Sequence, residues 1–418
     1  MNDKGEPRPL PESAEAWTTA DTAEYYRVDV WGDGFFLIDD SGYAAVRPDE
    51  ESGIAVRIAD VVADLAERSI EPPVLLRFQD VLRSRVRRIN EAFRRAIERY
   101  GYEGEYRSVY PIKVNQLHEV VEEVLDAGEP YGLGLECGSK PELVATLPHL
   151  TRDDTLLICN GVKDDGMLSL IHAGQRLGKN VIPVIEKFGE FEHWMALTAD
   201  SDTVPAFGVR VRLTTAGAGR WAESGGDRSK FGVSIPELVT LLERLRESGR
   251  EEAFALLHFH VGSQVSDVQV LRNAVKEITQ VYAKLVRRGI DIRYIDVGGG
   301  LGVRYDEGEE TGITYSLQEY ANAVISAVHD VCTDQSLPHP TVISESGRAI
   351  TAHHSVLVVE SLGSYGKDMI GDDFRPGDED HALVQKLWRV LDRLRRRTAR
   401  GKAGPALLTE AYHECRDV

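Results

Sequence analysis

The chain has 418 residues, 42% hydrophobic and 28% charged, a globular balance that excludes a disordered or membrane-embedded protein and leaves room for two or three domains. Its 68 acidic residues outnumber 49 basic ones for a net charge of −19, which repels nucleic acid and anionic membranes and argues against either as a partner. No apolar run nears the ~20 residues of a membrane helix, the polar start from Met1 to Trp17 lacks a secretory pattern, and Cys137, Cys159, Cys332 and Cys415 form no CxxC pair, so a reduced, cytoplasmic setting is expected.

Residues 1–20 read as a flexible arm and 21–70 as a small β lead-in, because Tyr25–Pro48 carries aromatic and β-branched residues between Gly/Asp turn signals. Over residues 71–360, short apolar runs alternate with amphipathic helical segments. The predicted strands are Pro73–Phe78, Ser108–Val114, Tyr131–Glu136, Thr155–Asn160, Val181–Glu186, Phe207–Leu213, Phe254–His260, Ile292–Val297 and Pro340–Glu345. The segments starting at Asn90 and Val270 show helical spacing of apolar residues. Repeated βα units with fully apolar strands imply a parallel sheet covered by helices. Eight or nine such units favour a closed (β/α)8 barrel, with an open doubly wound sheet as the alternative. Residues 361–418 break the rhythm: a polar linker (Gly371–Asp380) precedes a basic amphipathic helix. The Arg393, Arg395, Arg396 and Arg397 cluster there suits an acidic partner or, more simply, a solvated helix face.

In a (β/α)8 barrel the active site lies where the strands end. The polar residues at the predicted strand ends are Lys113, Glu136, Asn160, Glu186, Arg210 with Arg212, His260, Gly298-Gly299-Gly300, and Glu345 with Arg348. Burying charged groups is costly without partners, so this set points to a common polar ligand rather than to scattered rim ion pairs. Lys113 sits in the apolar strand "VYPIKVNQ", where desolvation would lower its pKa and suit it to Schiff-base chemistry; a snorkelling lysine is the plain alternative. The glycines of "YIDVGGGLGVRY" can close backbone N–H groups on a phosphate or simply make a tight turn. In "HFHVGSQ", His258 and His260 face one side of a strand; ring stacking of His260 and core packing of His258 are both open, and metal ligation would need a third ligand. Glu345 can keep a pyridine nitrogen protonated, or pair with Arg348 across Gly347.

Together the phrases "VYPIKVNQ", "GLECGSKPEL", "CNGVKD", "GVRVRL", "GGDRSKFG", "LLHFHVGSQ", "DVGGGLGV" and "VISESGRA" resemble the biosynthetic arginine decarboxylases, from about Tyr25 to about Val359. The lead-in "WGDGFFLIDDSGYAAVRP" separates the chain from the related ornithine, lysine and diaminopimelate decarboxylases. The resemblance implies a pyridoxal-phosphate-binding (β/α)8 barrel acting on L-arginine to give agmatine and CO2 for putrescine and spermidine synthesis. It implies that Lys113 carries the cofactor, that His260 stacks on its ring, and that Glu345 meets the pyridine nitrogen. Gly298, Gly299, Gly300, Gly347 and Arg348 would surround the phosphate, with Ser263 nearby, while Glu136, Arg210 and Lys230 would line the pocket. Asp296, Val297, Gly298, Gly299, Gly300, Leu301, Gly302, Val303, Arg304 and Tyr305 overlap the family's substrate-binding segment. The resemblance also implies magnesium, with no ligands that can be placed, and a homo-oligomer whose active sites are shared between subunits.

The family's C-terminal β-domain motifs do not occur in this sequence. Residues 361–418 resemble the start of a helical insertion, so a truncated chain with weak or no activity of its own is expected. The competing readings are a catalytically silent pyridoxal-phosphate barrel, an amino-acid racemase, which the carboxylate at Glu345 opposes, and a sugar-phosphate barrel enzyme using the glycine loop.

Overall fold

The computed structural model describes residues 17–49, 53–201, 205–215, 231–305, 312–363, 375–398 and 405–416. Most of the expected arm, Lys230 and the start of the Gly371–Asp380 segment lie outside them. The chain divides into two compact units, residues 1–76 with 356–418, and Arg77–Ser355.

The first unit opens with helices α1 (Thr19–Tyr25) and α2 (Val28–Trp31) where strands were expected. The reason is local: Thr18 and Asp21 form a reciprocal capping box, which satisfies backbone N–H groups at the start of a helix and outweighs the β propensity of the aromatic residues behind it. The expected β character begins later, in β1 (Phe36–Ile38), β2 (Ala44–Val46) and β3 (Val56–Arg57), a three-stranded antiparallel sheet followed by α3 (Ile58–Glu67). Strand β4 (Val74–Arg77), expected to open the barrel series, stands outside the barrel.

The second unit is an eight-stranded closed barrel. After α4 (Gln79–Tyr100) the chain runs β5 (Tyr106–Pro111), α5 (His118–Gly128), β6 (Gly134–Cys137), α6 (Lys140–Thr146), β7 (Leu157–Cys159), α7 (Asp165–Arg176), β8 (Val181–Ile185) and α8 (Phe188–Leu197). It continues through β9 (Phe207–Arg210), α9 (Ile235–Ser248), β10 (Phe254–His258), α10 (Val268–Val286), β11 (Tyr294–Asp296), α11 (Leu317–Asp334), β12 (Thr341–Ser344) and the short helix α12 (Gly347–Thr351). All neighbouring barrel strands pair in parallel, in the order β5 to β12, and β12 returns to β5. Back in the first unit, β13 (Ser355–Val358) pairs with β4, and α13 (Ala382–Thr398) and α14 (Pro405–Arg416) follow. The barrel-and-helix reading is confirmed, and the open-sheet alternative is excluded by closure.

Around the barrel, the helices form where their sequences say they should. In α4, Leu82, Val86, Ile89 and Phe93 recur at three- and four-residue spacing, share one face and are buried in the main hydrophobic core. Ser234 and Ser316 start α9 and α11 with capping boxes closed by Glu237 and Glu319. Strand parity then sorts the barrel lumen into two layers. Val109, Leu156, Ile158, Ile182, Val184, Leu256 and Ile343 fill the lower lumen as one buried apolar cluster. Two residues further along, the same faces carry Asn160, Glu186, His258 and Glu345.

Candidate active site

A cavity of about 710 Å³ opens at the carboxyl ends of the strands. Its wall includes Lys113, Glu136, Asn160, Glu186, Arg210, His258, His260, Ser263, Gly299, Gly300, Glu345, Gly347 and Arg348. The barrel therefore brings to one place residues drawn from its first strand to its last.

Lys113 differs from expectation in two respects. Strand β5 ends at Pro111, which has no N–H to continue the ladder, and Lys113 lies in the following 3-10 turn Ile112–Val114. Its half-exposed side chain reaches into the cavity and places Nζ 3.0 Å from Glu136 Oε2. Burial would lower its pKa, but Glu136 and Glu345 outweigh that and hold it above its ordinary value. The resting amine is an ammonium, and its proton has an acceptor at hand: burial and the neighbouring Glu345 push Glu136 up to about 7.

Asn160 ties the wall together, donating from Nδ2 to Glu136 Oε1 at 3.0 Å and to Glu345 Oε1 at 2.7 Å. Burial, then the adjacent Asp296, push Glu345 up to about 7, and burial does the same to Asp296. Three carboxyl groups so placed cannot all ionise at neutral pH without a cation among them. Arg210 pairs with Glu186 at 3.1 Å and lies over the Phe231 ring at 5.2 Å. Burial opposes the ionised form of Glu186, but Arg210 and Lys163 prevail and lower its pKa.

His260 is neutral, its pKa lowered to about 3 by desolvation and by Arg210. The Gly299 N–H donates to its Nδ1 at 3.2 Å, which fixes the tautomer and the ring plane. The glycine run is required by space and by dihedral angle. Gly298 and Gly300 have φ of +66° and +105°, and a Cβ at Gly298, Gly299 or Gly300 would come within 2.7–2.8 Å of backbone oxygens of Phe259, Glu345 and Gly262.

Of the segment expected to bind substrate, Gly299, Gly300, Leu301 and Tyr305 line the cavity. Val297 and Val303 pack in the hydrophobic core, Gly302 N–H donates to the Tyr315 hydroxyl, and Arg304 reaches the Tyr315 carbonyl. Two contributors have partners that the sequence reading did not assign. His258 proves to sit 3.1 Å from Asp296 rather than in plain core packing. Lys163 is wholly buried, with Nζ donating to the carbonyls of Gly161 and Val184 at 2.6 Å each, and so pins the loop after β7 that carries Asn160. The signal for Lys163 was a lysine within an otherwise small-residue turn, "NGVKD", where only burial turns a surface residue into a strut.

These residues fit pyridoxal phosphate. Glu345 and Asn160 Oδ1, an orphaned buried acceptor, line the cavity together with a flat neutral imidazole, the crowded glycines and Arg348. Magnesium does not fit as well. Among the described residues the one His/Cys/Asp/Glu group close enough to share a cation is His258, Asp296 and Glu345, a buried set with a nitrogen where a hard cation wants oxygens and water.

A parallel barrel with a lysine, a neutral histidine, a run of crowded glycines and a carboxylate at one mouth is the arrangement of a pyridoxal-dependent enzyme. The chain belongs to the pyridoxal-dependent decarboxylases: residues 86–352 match that family's pyridoxal binding domain. Over 350 residues it is 45% identical to the biosynthetic arginine decarboxylase of Rhodopirellula baltica, covering 83% of this chain and 52% of that protein. The enzyme of the same name from Phocaeicola vulgatus is 37% identical over 406 residues, covering 96% of this chain and 63% of that one. The crystal structure of the biosynthetic arginine decarboxylase from Campylobacter jejuni superposes with a TM-score of 0.74 at 27% identity, over 94% of this chain and 63% of the other. Diaminopimelate decarboxylase from Helicobacter pylori shares the fold alone, with a TM-score of 0.56 at 21% identity over 70% of this chain and 68% of that one. The chain thus spans between 52% and 63% of the length of the two curated relatives above.

Proposed function

We propose that this chain carries the pyridoxal-phosphate centre of an arginine decarboxylase, converting L-arginine to agmatine and CO2 for polyamine synthesis. The observation that carries the reading is Lys113 Nζ at the mouth of a cavity that His260, Glu345 and the Gly299–Gly300 loop also line, in a chain 45% identical to an arginine decarboxylase.

Lys113 would hold the cofactor, Gly298, Gly299, Gly300, Ser263, Gly347 and Arg348 its phosphate, and Glu345 its ring nitrogen. When bound, pyridoxal phosphate supplies an electron sink for the pair released as the Cα–carboxylate bond breaks. The protein's residues do the rest. Glu136 takes the proton that Lys113 must shed before its amine can react. Glu345 would keep a proton on the cofactor's ring nitrogen. His260 offers a flat, uncharged face that cannot take that proton, since its pKa is held near 3. Arg210 neutralises Glu186, leaving the wall able to accept an anionic substrate carboxylate. The Asp296–Tyr305 stretch would meet substrate through Leu301 and Tyr305, which face the cavity. A homo-oligomer and a cytoplasmic setting go with this reading; the free thiols of Cys137 and Cys159, 3.6 Å apart, suit a reducing compartment. No step is derived through magnesium.

Purified protein is mixed with pyridoxal phosphate and its absorbance recorded, and then agmatine, cadaverine and putrescine are measured after adding arginine, lysine or ornithine. The reading expects a cofactor band that Lys113→Ala lacks, and agmatine as the main product. Equal bands in wild type and Lys113→Ala, or a preference for lysine or ornithine, would overturn it.

A further inference from the structure

We propose that His258 and Asp296 form a buried proton-sharing pair behind Glu345, and that His258 is the positioning residue that keeps Glu345 an ionised carboxylate toward the cofactor's ring nitrogen. This deepens the decarboxylase reading and rests on it.

The geometry comes from strand register. His258 ends β10 and Asp296 ends β11, and the two are direct partners across that parallel pair, both facing the lumen. Glu345 follows β12, the next strand round. His258 Nδ1 therefore lies between two carboxylates, 3.1 Å from Asp296 Oδ2 and 3.9 Å from Glu345 Oε1. The other oxygen of Asp296 accepts from the Gly298 N–H at 2.8 Å, and Glu345 Oε1 accepts from Asn160. Each carboxylate is thus anchored from one side, the two carboxyl groups also lie close enough to interact directly, and His258 Nδ1 lies beside both.

The 3.1 Å approach is off the line a hydrogen bond needs, so His258 Nδ1 and Asp296 Oδ2 both remain buried without a hydrogen-bond partner. Native proteins rarely leave two such atoms face to face, and a proton that moves among the three groups is a physical reason to do so. His258 and Asp296 are buried to within 1% of full coverage, and the apolar lower lumen separates them from water below. A proton in the cluster exchanges only through the cavity.

The charges facing His258 are Glu345, Arg210, Glu186 and Glu136, with Asp296 across the strand pair and His260 two residues along its own strand. Burial lowers the pKa of His258 to about 4, so at neutral pH it is a neutral imidazole. A small turn of its ring would aim an Nδ1–H at Asp296 Oδ2, 3.1 Å away. Removing that donor leaves Asp296 and Glu345 to repel one another, and the cheapest relief is a proton on one of them. A protonated Glu345 no longer supports a protonated ring nitrogen.

The test follows the spectrum of the pyridoxal phosphate holoprotein from mildly acidic to mildly alkaline pH in wild type, His258→Leu, His258→Asn and Asp296→Asn. In His258→Leu the acidic spectral transition should move up by about one pH unit, the size expected of a close charge or donor. His258→Asn should return it towards wild type, because its amide Nδ2 can occupy the place of Nδ1. Asp296→Asn should move it the opposite way, by removing a neighbouring negative charge while keeping an oxygen for the Gly298 N–H. The opposite signs separate the proposal from a general loosening of the core, which would shift both the same way. Unmoved midpoints in His258→Leu and Asp296→Asn, or shifts of the same sign, would overturn it and leave the cofactor site standing. If His258→Leu does not fold, the direction of the Asp296→Asn shift decides alone. A wild-type chain without a cofactor band would instead overturn the decarboxylase reading beneath it.

Discussion

Two layers of one barrel lumen, a residue pair apart on the same strands, have opposite chemistry. Below lie Ile158, Val184, Leu256 and Ile343; above, on the same faces, lie Asn160, Glu186, His258 and Glu345. The lower layer stabilises by removing apolar surface from water at roughly 25 cal/mol per Å². The upper layer does the reverse: it buries carboxyl groups whose pKa values rise to about 7 at Glu136, Asp296 and Glu345. The difference teaches that the upper charges are carried for chemistry and are tolerable because the plug beneath them is dry and closely packed.

Substitutions in the two layers should therefore separate activity from stability. The largest effect is expected at Glu345→Gln, which keeps the hydrogen bond from Asn160 possible but cannot hold a ring-nitrogen proton. It should lower kcat about 10²–10³-fold, the cost of removing one preorganised electrostatic partner. KM should change little. A kcat within threefold or so of wild type in agmatine release would place the ring-nitrogen partner elsewhere.

Leu256→Ala, in the lower layer beneath His258, should do the opposite. It should cost about 2–5 kcal/mol in urea unfolding, from lost transfer free energy and the cavity left behind. The protein that remains folded should keep the wild-type cofactor spectrum. A normal unfolding midpoint would mean the plug is not what supports the upper layer.

Why the comparison was partly visible in sequence is a matter of parity. Period-two alternation puts positions 156, 158 and 160, or 256, 258 and 260, on one side of a strand, so a polar residue after apolar ones on that side marks the mouth. The simpler rule that polar residues end the strands of a barrel found Glu136, Asn160, Glu186, Arg210, His260 and Glu345, and parity set His258 beside His260. It could say that His258 faces inwards but not what it faces, because Asp296 meets it only through the register of β10 on β11. It misplaced Lys113 as a strand residue because Ile112 and Val114 continue the apolar run past Pro111. Strand β4 looked like a barrel strand since Val74, Leu75 and Leu76 are apolar; its pairing with β13 is decided by residues at the far end of the barrel sequence. Lys163 was passed over because the sequence shows a charge in a turn and not its burial.

The comparison also has a pH signature in the cofactor-free protein. The folded pKa of Glu345, about 7, lies above its ordinary 4.5, so folding takes up a proton. A group raised in this way supports the fold fully below about 4.5 and loses that support as pH rises through 7. Wild-type protein without cofactor should lose thermal stability over that window. Glu136 and Asp296 still titrate in this window, so Glu345→Gln should show a smaller loss and melt a few degrees higher than wild type at alkaline pH, with the gap closing as pH falls towards 4.5. A gap of the same size at both ends would show that Glu345 is ionised throughout in the folded protein.

The smallest effect is expected at Lys140. Its ammonium lies 2.8 Å from Asp164, closer than Lys113 lies to Glu136, and by distance alone it is the better ion pair. Both Lys140 and Asp164 are exposed to solvent, however, whereas Glu136 is wholly buried. Water screens the first pair and leaves little net gain, while the second decides the protonation of a reacting amine. Lys140→Ala keeps Asp164 as the cap of α7, where its carboxylate accepts from the Met167 N–H, so the helix start is undisturbed. Cofactor spectrum, agmatine release and urea midpoint should all match wild type. A clear loss in any of them would mean that the rim takes part in the chemistry, and that burial alone does not divide working charges from solvated ones in this barrel.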